Sequence, residues 1–133
     1  MNIIILSKNY KNYKSGNYHQ DIINSLSILH NCFLYGLGYD NYKLNDTIFD
    51  VIEKSKSTIN SVDLIITSTS WDEDTSKDNV DPHPNICLSK VDFVKKVYFL
   101  NKEYKKLDLR FEYAKKNKFN FIVTVHPKYK DWE

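Results

Sequence analysis

The sequence contains a single arginine beside 18 lysines, and its formal net charge is only +2. Arginine is the residue best suited to bidentate contacts with phosphate and guanine, so its scarcity argues against a dedicated nucleic-acid-binding protein. A charge this small does not by itself imply a nucleic-acid or membrane partner. We therefore predict no nucleic-acid partner.

Cysteines and long apolar runs are also scarce. Cys32 and Cys87 form no CxxC pair and no spaced set with histidine, which favours buried reduced thiols over a disulfide or a metal site. No apolar run approaches the length of a membrane span, and the start, "MNIIILSKNY", lacks the cationic flank and long apolar core of a signal peptide. We expect no membrane span and a cytoplasmic location.

Glycine-rich phosphate-binding motifs are absent. A dinucleotide site requires GxGxxG directly after the first strand, but "SKNYKNYKSG" stands there, and Gly36 and Gly38 follow the second strand instead. There is no GxxxxGK[ST] either, which excludes a P-loop. We predict no bound cofactor.

What the sequence does contain is an alternation of apolar runs with segments of helical spacing. With 133 residues and 41% hydrophobic residues, the length fits one folded domain, residues 1–133. The predicted strands are "NIIIL", "CFLY", "VDLIITSTS", "KKVYFL" and "FNFIVTV". This alternation predicts an α/β fold, a Rossmann-like three-layer sandwich with a mainly parallel sheet of about five strands.

Three intervening segments predict helices with one apolar face each. The first helix is expected to bury Ile22, Ile23, Leu26 and Leu29. The second is expected to have Asn45 or Asp46 as its N-cap and to bury Leu44, Ile48, Val51 and Ile52. The third, Lys102–Lys118, is expected to pack through Tyr104, Leu107, Phe111 and Ala114.

Polar residues follow the predicted strands, where a parallel sheet presents its ligand-binding edge. The candidate site residues are Lys8, Asn9 and Tyr10 after the first strand, Trp71 and Asp72 after the third, Asn101, Lys102 and Glu103 after the fourth, and His126 after the fifth. The acidic run from Asp72 to Asp81 lacks the glycine and the distant glutamate of an EF-hand, so we predict a solvated loop and no metal site.

Several motifs, in order, resemble the N-terminal half of bacterial and giant-virus glycosyltransferases of the CgeB or spore-maturation-protein type. They are "FLYGLGYDNY", "DLIITSTSWDED", "DPHPNICLSK", "VYFLNKEYKKLDLRFEYAKKNKF" and "FIVTVHPKY". The resemblance covers nearly the whole chain and implies the GT-B fold, in which two Rossmann-like domains share the active site. It implies that this chain is the acceptor-side domain, which holds a sugar or glycan acceptor.

The resemblance also assigns roles to the strand-end residues. His126, Asp72 or Glu103 would act as the base for the acceptor hydroxyl. Tyr10 and Trp71 would stack on a sugar face, and Lys8, Asn9, Asn101 and Lys102 would add polar contacts. Relatives usually carry a second histidine where this chain has Pro127.

The sequence ends at Glu133, where relatives continue into a domain that binds the nucleotide-sugar donor. The 133-residue chain is therefore expected to bind a donor only with a second domain and to be inactive alone. An apolar patch at the docking face would allow weak self-association.

Two alternatives remain open. A small Rossmann-like binding or regulatory module, such as a receiver domain, would use Asp72 as its phosphoacceptor, although the acidic pair expected after the first strand is missing. Nucleic-acid binding through Lys102–Lys118 would show steeply salt-dependent affinity.

Overall fold

The computed structural model describes residues 1–11, 17–68, 71, 83, 85–100 and 107–124, and for residues 17–19 and 68 it describes the backbone alone. The strands are β1 (Asn2–Leu6), β2 (Asn31–Tyr35), β3 (Leu64–Ser68), β4 (Lys95–Leu100) and β5 (Phe121–Thr124). The α-helices in this part of the chain are α1 (Asn17–Leu29), α2 (Ile48–Ser55) and α3 (Leu107–Lys116), and a short 3-10 helix spans Leu88–Lys90.

The five strands form one sheet in the order β2-β1-β3-β4-β5, and every neighbouring pair is parallel. The predicted α/β sandwich with a parallel sheet of about five strands is confirmed. This order is that of flavodoxin-like doubly wound sheets, in which the chain leaves β1 and β3 in opposite directions across the sheet. The sheet order therefore places a topological switch point between β1 and β3.

Both faces of β1 are covered, which explains its continuous apolar sequence. Ile4 and Leu6 of β1 belong to a core on one face with α2 and α3, whereas Ile3 and Ile5 belong to a core on the other face with α1. All four side chains are at most 3% exposed. Such strands need apolar residues at successive positions because neither face meets water.

The predicted face of α1 is only partly right. Ile23 is buried and Leu26 packs against the same core, but Leu29 is 73% exposed. Leu29, the last residue of α1, is not among the residues of the described core on this side of the sheet. Asn17 is the first residue of this helix.

The predicted N-cap of α2, Asn45 or Asp46, is wrong, because Thr47 caps this helix. The Thr47 hydroxyl accepts a hydrogen bond from the Asp50 N–H, and the Asp50 carboxylate accepts one from the Thr47 N–H, which forms a capping box. Ile48 and Val51 are buried as predicted, whereas Leu44 precedes the helix and is 60% exposed.

Helix α3 follows the predicted face only in part: Ala114 is buried and Leu107 packs against the core as predicted, but the helix is rotated so that other residues replace Phe111. Its buried residues are Arg110, Tyr113 and Ala114, whereas Phe111 is 39% exposed. Tyr113 packs edge-on against Tyr98 of β4. This contact turns Phe111 toward β5, the last strand in the order of the sheet. Tyr104 lies outside the described residues.

The 3-10 helix Leu88–Lys90 is held in place by Lys96. The Lys96 ammonium is 3% exposed and donates a 2.8 Å hydrogen bond to the Leu88 carbonyl. The side chain of Asn117 accepts from the Leu88 N–H and donates to the Tyr113 carbonyl, each at 3.0 Å. Burial lowers the pKa of Lys96.

Among the described residues, no helix combines the length and the apolar content that crossing a lipid bilayer requires.

Candidate functional site

The loops after β1 and β2 lie side by side at the carboxyl edge of the sheet. The ladder between these strands continues beyond their ends, because the Ser7 N–H donates to the Tyr35 carbonyl at 3.0 Å and the Asn9 N–H donates to the Leu37 carbonyl at 2.9 Å. The first loop thus leaves the sheet at the switch point in a defined position.

Gly36 and Gly38 make this close approach of two backbones feasible. A Cβ at Gly36 would lie 2.0 Å from the Ser7 carbonyl oxygen, and one at Gly38 would lie 3.0 Å from the Cβ of Asn9. Both glycines have positive φ angles, +152° and +94°, which other residues rarely adopt. The glycine pair therefore has a structural role in the loop at the ligand edge.

The predicted site residues of the first loop have different surroundings. The Asn9 side chain is engaged within the loops, since it donates to the Gly38 carbonyl at 3.3 Å and accepts from the Lys11 N–H at 3.0 Å. Lys8 and Tyr10 are half-buried and flank it. Asn9 thus shapes the loop, and its side chain is partly exposed like those of Lys8 and Tyr10.

Trp71 is buried rather than displayed. Its ring is 1% exposed and is stacked on His83, with centroids 3.7 Å apart and an interplanar angle of 17°. The Tyr42 hydroxyl lies 3.3 Å from Nδ1 of His83, and Tyr35 approaches Trp71 with centroids 6.2 Å apart. A sugar could stack on Trp71 only after this aromatic cluster had opened.

A polar network lies beside these rings. The Tyr35 hydroxyl donates to Asp46 at 2.6 Å and accepts from the Lys43 N–H at 3.2 Å. The Lys54 ammonium forms an ion pair with Asp46 and also donates to the Asn41 carbonyl at 2.9 Å. This network joins the loop after β2 to α2 and fixes the wall next to Trp71.

The network also shifts two ionisation equilibria. Burial would raise the pKa of Asp46, but the hydrogen bonds from Lys54 and Tyr35 outweigh burial and lower that pKa below its usual value. Burial and the hydrogen bond to the Asp46 carboxylate raise the pKa of Tyr35. Asp46 is therefore charged and Tyr35 neutral around neutral pH, which is the arrangement this hydrogen bond requires.

Asp72, Asn101, Lys102, Glu103 and His126 lie outside the described residues. The strands that precede them, β3, β4 and β5, are all parallel to β1, so these strands end at the same edge as Lys8 and Tyr10. The acidic run from Asp72 to Asp81 also lies outside the described residues. Within those that the structure describes, no group of His, Cys, Asp and Glu could hold a metal ion.

Sequence reasoning missed His83, Tyr42 and the pair of Asp46 and Lys54. The signal for His83 was its place in "DPHP", between two of the three prolines, where a fixed backbone favours a defined side-chain position. Asp46 and Lys54 are eight positions apart, with Asp46 before the helix and Lys54 in its last turn, so no single helical spacing pointed to their contact.

No protein family, curated protein or solved structure was found to match this chain.

Proposed function

We propose that this chain is the acceptor-side domain of a glycosyltransferase and that it binds a sugar or glycan at the carboxyl edge of its sheet. The observation that carries the proposal is the switch point between β1 and β3. The loop from Ser7 to Lys11 follows β1 on one side of this point, and β3 ends at Ser68 on the other side. In doubly wound sheets, ligands bind in the crevice at such a point.

The chemistry of the strand-end residues suits a polyhydroxylated ligand. Lys8 and Tyr10 offer an ammonium donor and an amphipathic ring at the β1 side of the crevice, and Asn101 and Lys102 follow β4 in the sequence. Asp72, Glu103 and His126 are the candidate bases, because each can accept the proton of an acceptor hydroxyl as it attacks the anomeric carbon. The diphosphate leaving group would need cations or helix N-termini, which a second domain would supply.

Binding is tested by an NMR titration of the ¹⁵N-labelled chain with a panel of neutral and acidic mono- and oligosaccharides. We expect amide shifts in residues 7–11 and 36–42, and weaker binding in Lys8→Ala and Tyr10→Ala. Lys95→Ala is the matched control, because Lys95 is an exposed lysine at the start of β4, at the opposite edge of the sheet. Shifts confined to that opposite edge, or no shifts with any sugar, would contradict the proposal.

A second candidate, a receiver-like regulatory module, is favoured by the strand order β2-β1-β3-β4-β5, which such modules share. It predicts that acetyl phosphate adds one phosphoryl group to the chain at Asp72 and that Asp72→Asn abolishes the addition. An unchanged mass after incubation with acetyl phosphate would rule this candidate out.

A further inference from the structure

Strand β5 forms one edge of the described sheet and is apolar on both faces. Phe121 is 59% exposed, Ile122 is 40% exposed and Val123 is 37% exposed. Proteins usually protect such an edge with lysine, proline or a bulge. The four residues Phe121–Thr124 contain neither lysine nor proline and pair with β4 without a break in register.

The side chains of β5 extend the apolar surface on each side of the sheet, the α1 side and the α3 side. Phe121 and Val123 are paired with Val97 and Phe99 of β4, which pack on the α1 side of the sheet. Ile122 is paired with Tyr98 on the α3 side. It lines a groove of about 400 Å³ together with the apolar residues Phe111, Ala114 and Phe119 and with two lysines, Lys115 and Lys118. Phe111, which α3 turns toward this edge, thus extends the apolar surface beyond the strand.

We propose that this edge binds a second copy of the chain, with the two β5 strands antiparallel about a two-fold axis at Ile122. Directly opposite residues of antiparallel strands share one face of the sheet. In this register Ile122 lies opposite Ile122 of the second copy. Phe121 then lies opposite Val123 of the second copy, and both residues belong to the α1 side of the sheet. This register pairs apolar residues with apolar residues on both faces of a continuous ten-stranded sheet.

The charges of α3 favour the antiparallel arrangement. This helix has Asp108 in its first turn and Lys115 and Lys116 in its last turn. A two-fold axis perpendicular to the sheet sets the two α3 helices in opposite directions, so the acidic end of one helix approaches the basic end of the other. A parallel arrangement would bring like charges together.

The size of the surface indicates a weak, concentration-dependent dimer. A four-residue strand and the adjoining groove fall at the small end of specific interfaces, and we expect a dissociation constant of about 10 to 1,000 µM. The two carboxyl edges point in opposite directions in this dimer, so the proposal is independent of what the candidate site binds.

Sedimentation equilibrium across a concentration series tests the association. We expect the unmodified chain to dimerise, and Phe121→Lys or Ile122→Lys to weaken the dimer by about tenfold or more. Ile28→Lys is the matched control, because Ile28 is an 84% exposed apolar residue on α1 and its substitution should leave the dimer intact. Circular dichroism confirms that each variant is folded. A chain that stays monomeric up to about 1 mM would overturn the proposal.

Cysteine crosslinking tests the register without charged substitutions. In a background with Cys32→Ser and Cys87→Ser, the Ile122→Cys variant should form a disulfide between the two copies of the chain, each through residue 122. Phe121→Cys and Val123→Cys should crosslink when mixed and not alone, since residues two positions out of register are beyond disulfide reach. Equal crosslinking in all combinations, or none at Ile122→Cys, would overturn this geometry.

Discussion

The rings of Trp71 and His83 are stacked face to face, with their centroids 3.7 Å apart. Trp71 follows β3 closely. The ring of Tyr42, in the segment between β2 and α2, is perpendicular to the ring of His83, and the two ring centroids are 5.8 Å apart. The contact between Tyr42 and His83 therefore ties this stack to the loop after β2, beside the switch point. It gives one wall of the candidate site a fixed position.

We expect His83→Ala to lower the free energy of unfolding by about 2–4 kcal/mol, because it removes a buried ring from the core and leaves a cavity. His83→Phe should recover part of this loss, since it restores the stack without the contact to Tyr42. His30→Ala, at a partly exposed position, should change stability by less than about 0.5 kcal/mol. Urea denaturation measures all three, and equal losses in the two alanine variants would contradict the assignment.

The Asp46 carboxylate should contribute to stability at neutral pH and lose that contribution in acid. Its pKa is lowered in the folded protein, so the unfolded state binds more protons as the pH falls below about 4. The contribution is fully present above the unfolded pKa and disappears as the pH falls through the folded pKa. Asp46→Asn should therefore flatten the acid side of the stability profile.

The measurement is urea denaturation between about pH 7 and pH 2.5. Asp50→Asn is the control, because Asp50 is exposed and acts in the capping box of α2. That variant should lower stability at neutral pH by breaking the capping box. If Asp46→Asn kept the full acid dependence of the unmodified chain, the ion pair with Lys54 would not be its source.

The fold was predictable because it depends on runs of buried residues. The continuous apolar stretch Ile3–Leu6 meets apolar surface on both sides, so its sequence alone indicates a central strand. Phe111 was misplaced because the rotation of α3 depends on how Tyr113 meets Tyr98, which is a contact between distant segments. Helical spacing defines which residues share a face but not which face is buried.

The candidate site was only partly predictable for a similar reason. Its position at the strand ends follows from parallel topology, and Lys8 and Tyr10 do lie beside the switch point. The burial of Trp71 depends on His83, which is separated from it by residues 72–82. Local spacing in the sequence does not indicate that contact. The position of Trp71 after a strand therefore predicts a ring that stacks on a ligand and not a ring that is buried.

Gly36→Ala should destabilise the protein by more than about 3 kcal/mol, because the added Cβ meets the Ser7 carbonyl and the two loops must separate. Gly38→Ala should cost about 1–3 kcal/mol, since its Cβ contact with Asn9 is longer and the main cost is its positive φ. Thermal unfolding followed by circular dichroism gives the ranking. The reverse order would show that the carbonyl contact is not the dominant constraint.

The buried Lys96 should make the protein more stable as the pH rises from neutral toward 10. Burial lowers the pKa of this ammonium in the folded state, so the folded protein binds fewer protons than the unfolded chain between that lowered pKa and about 10.4. Stability therefore increases with pH across this window, because the cost of a buried charge disappears when Lys96 loses its proton. Lys96→Met should remove this increase.

Lys95→Met is the matched control, because Lys95 is the exposed neighbour on the same strand and its substitution should leave the slope unchanged. Guanidinium denaturation at intervals from about pH 7 to pH 10 measures the slope, and an unchanged slope in Lys96→Met would assign it to other groups.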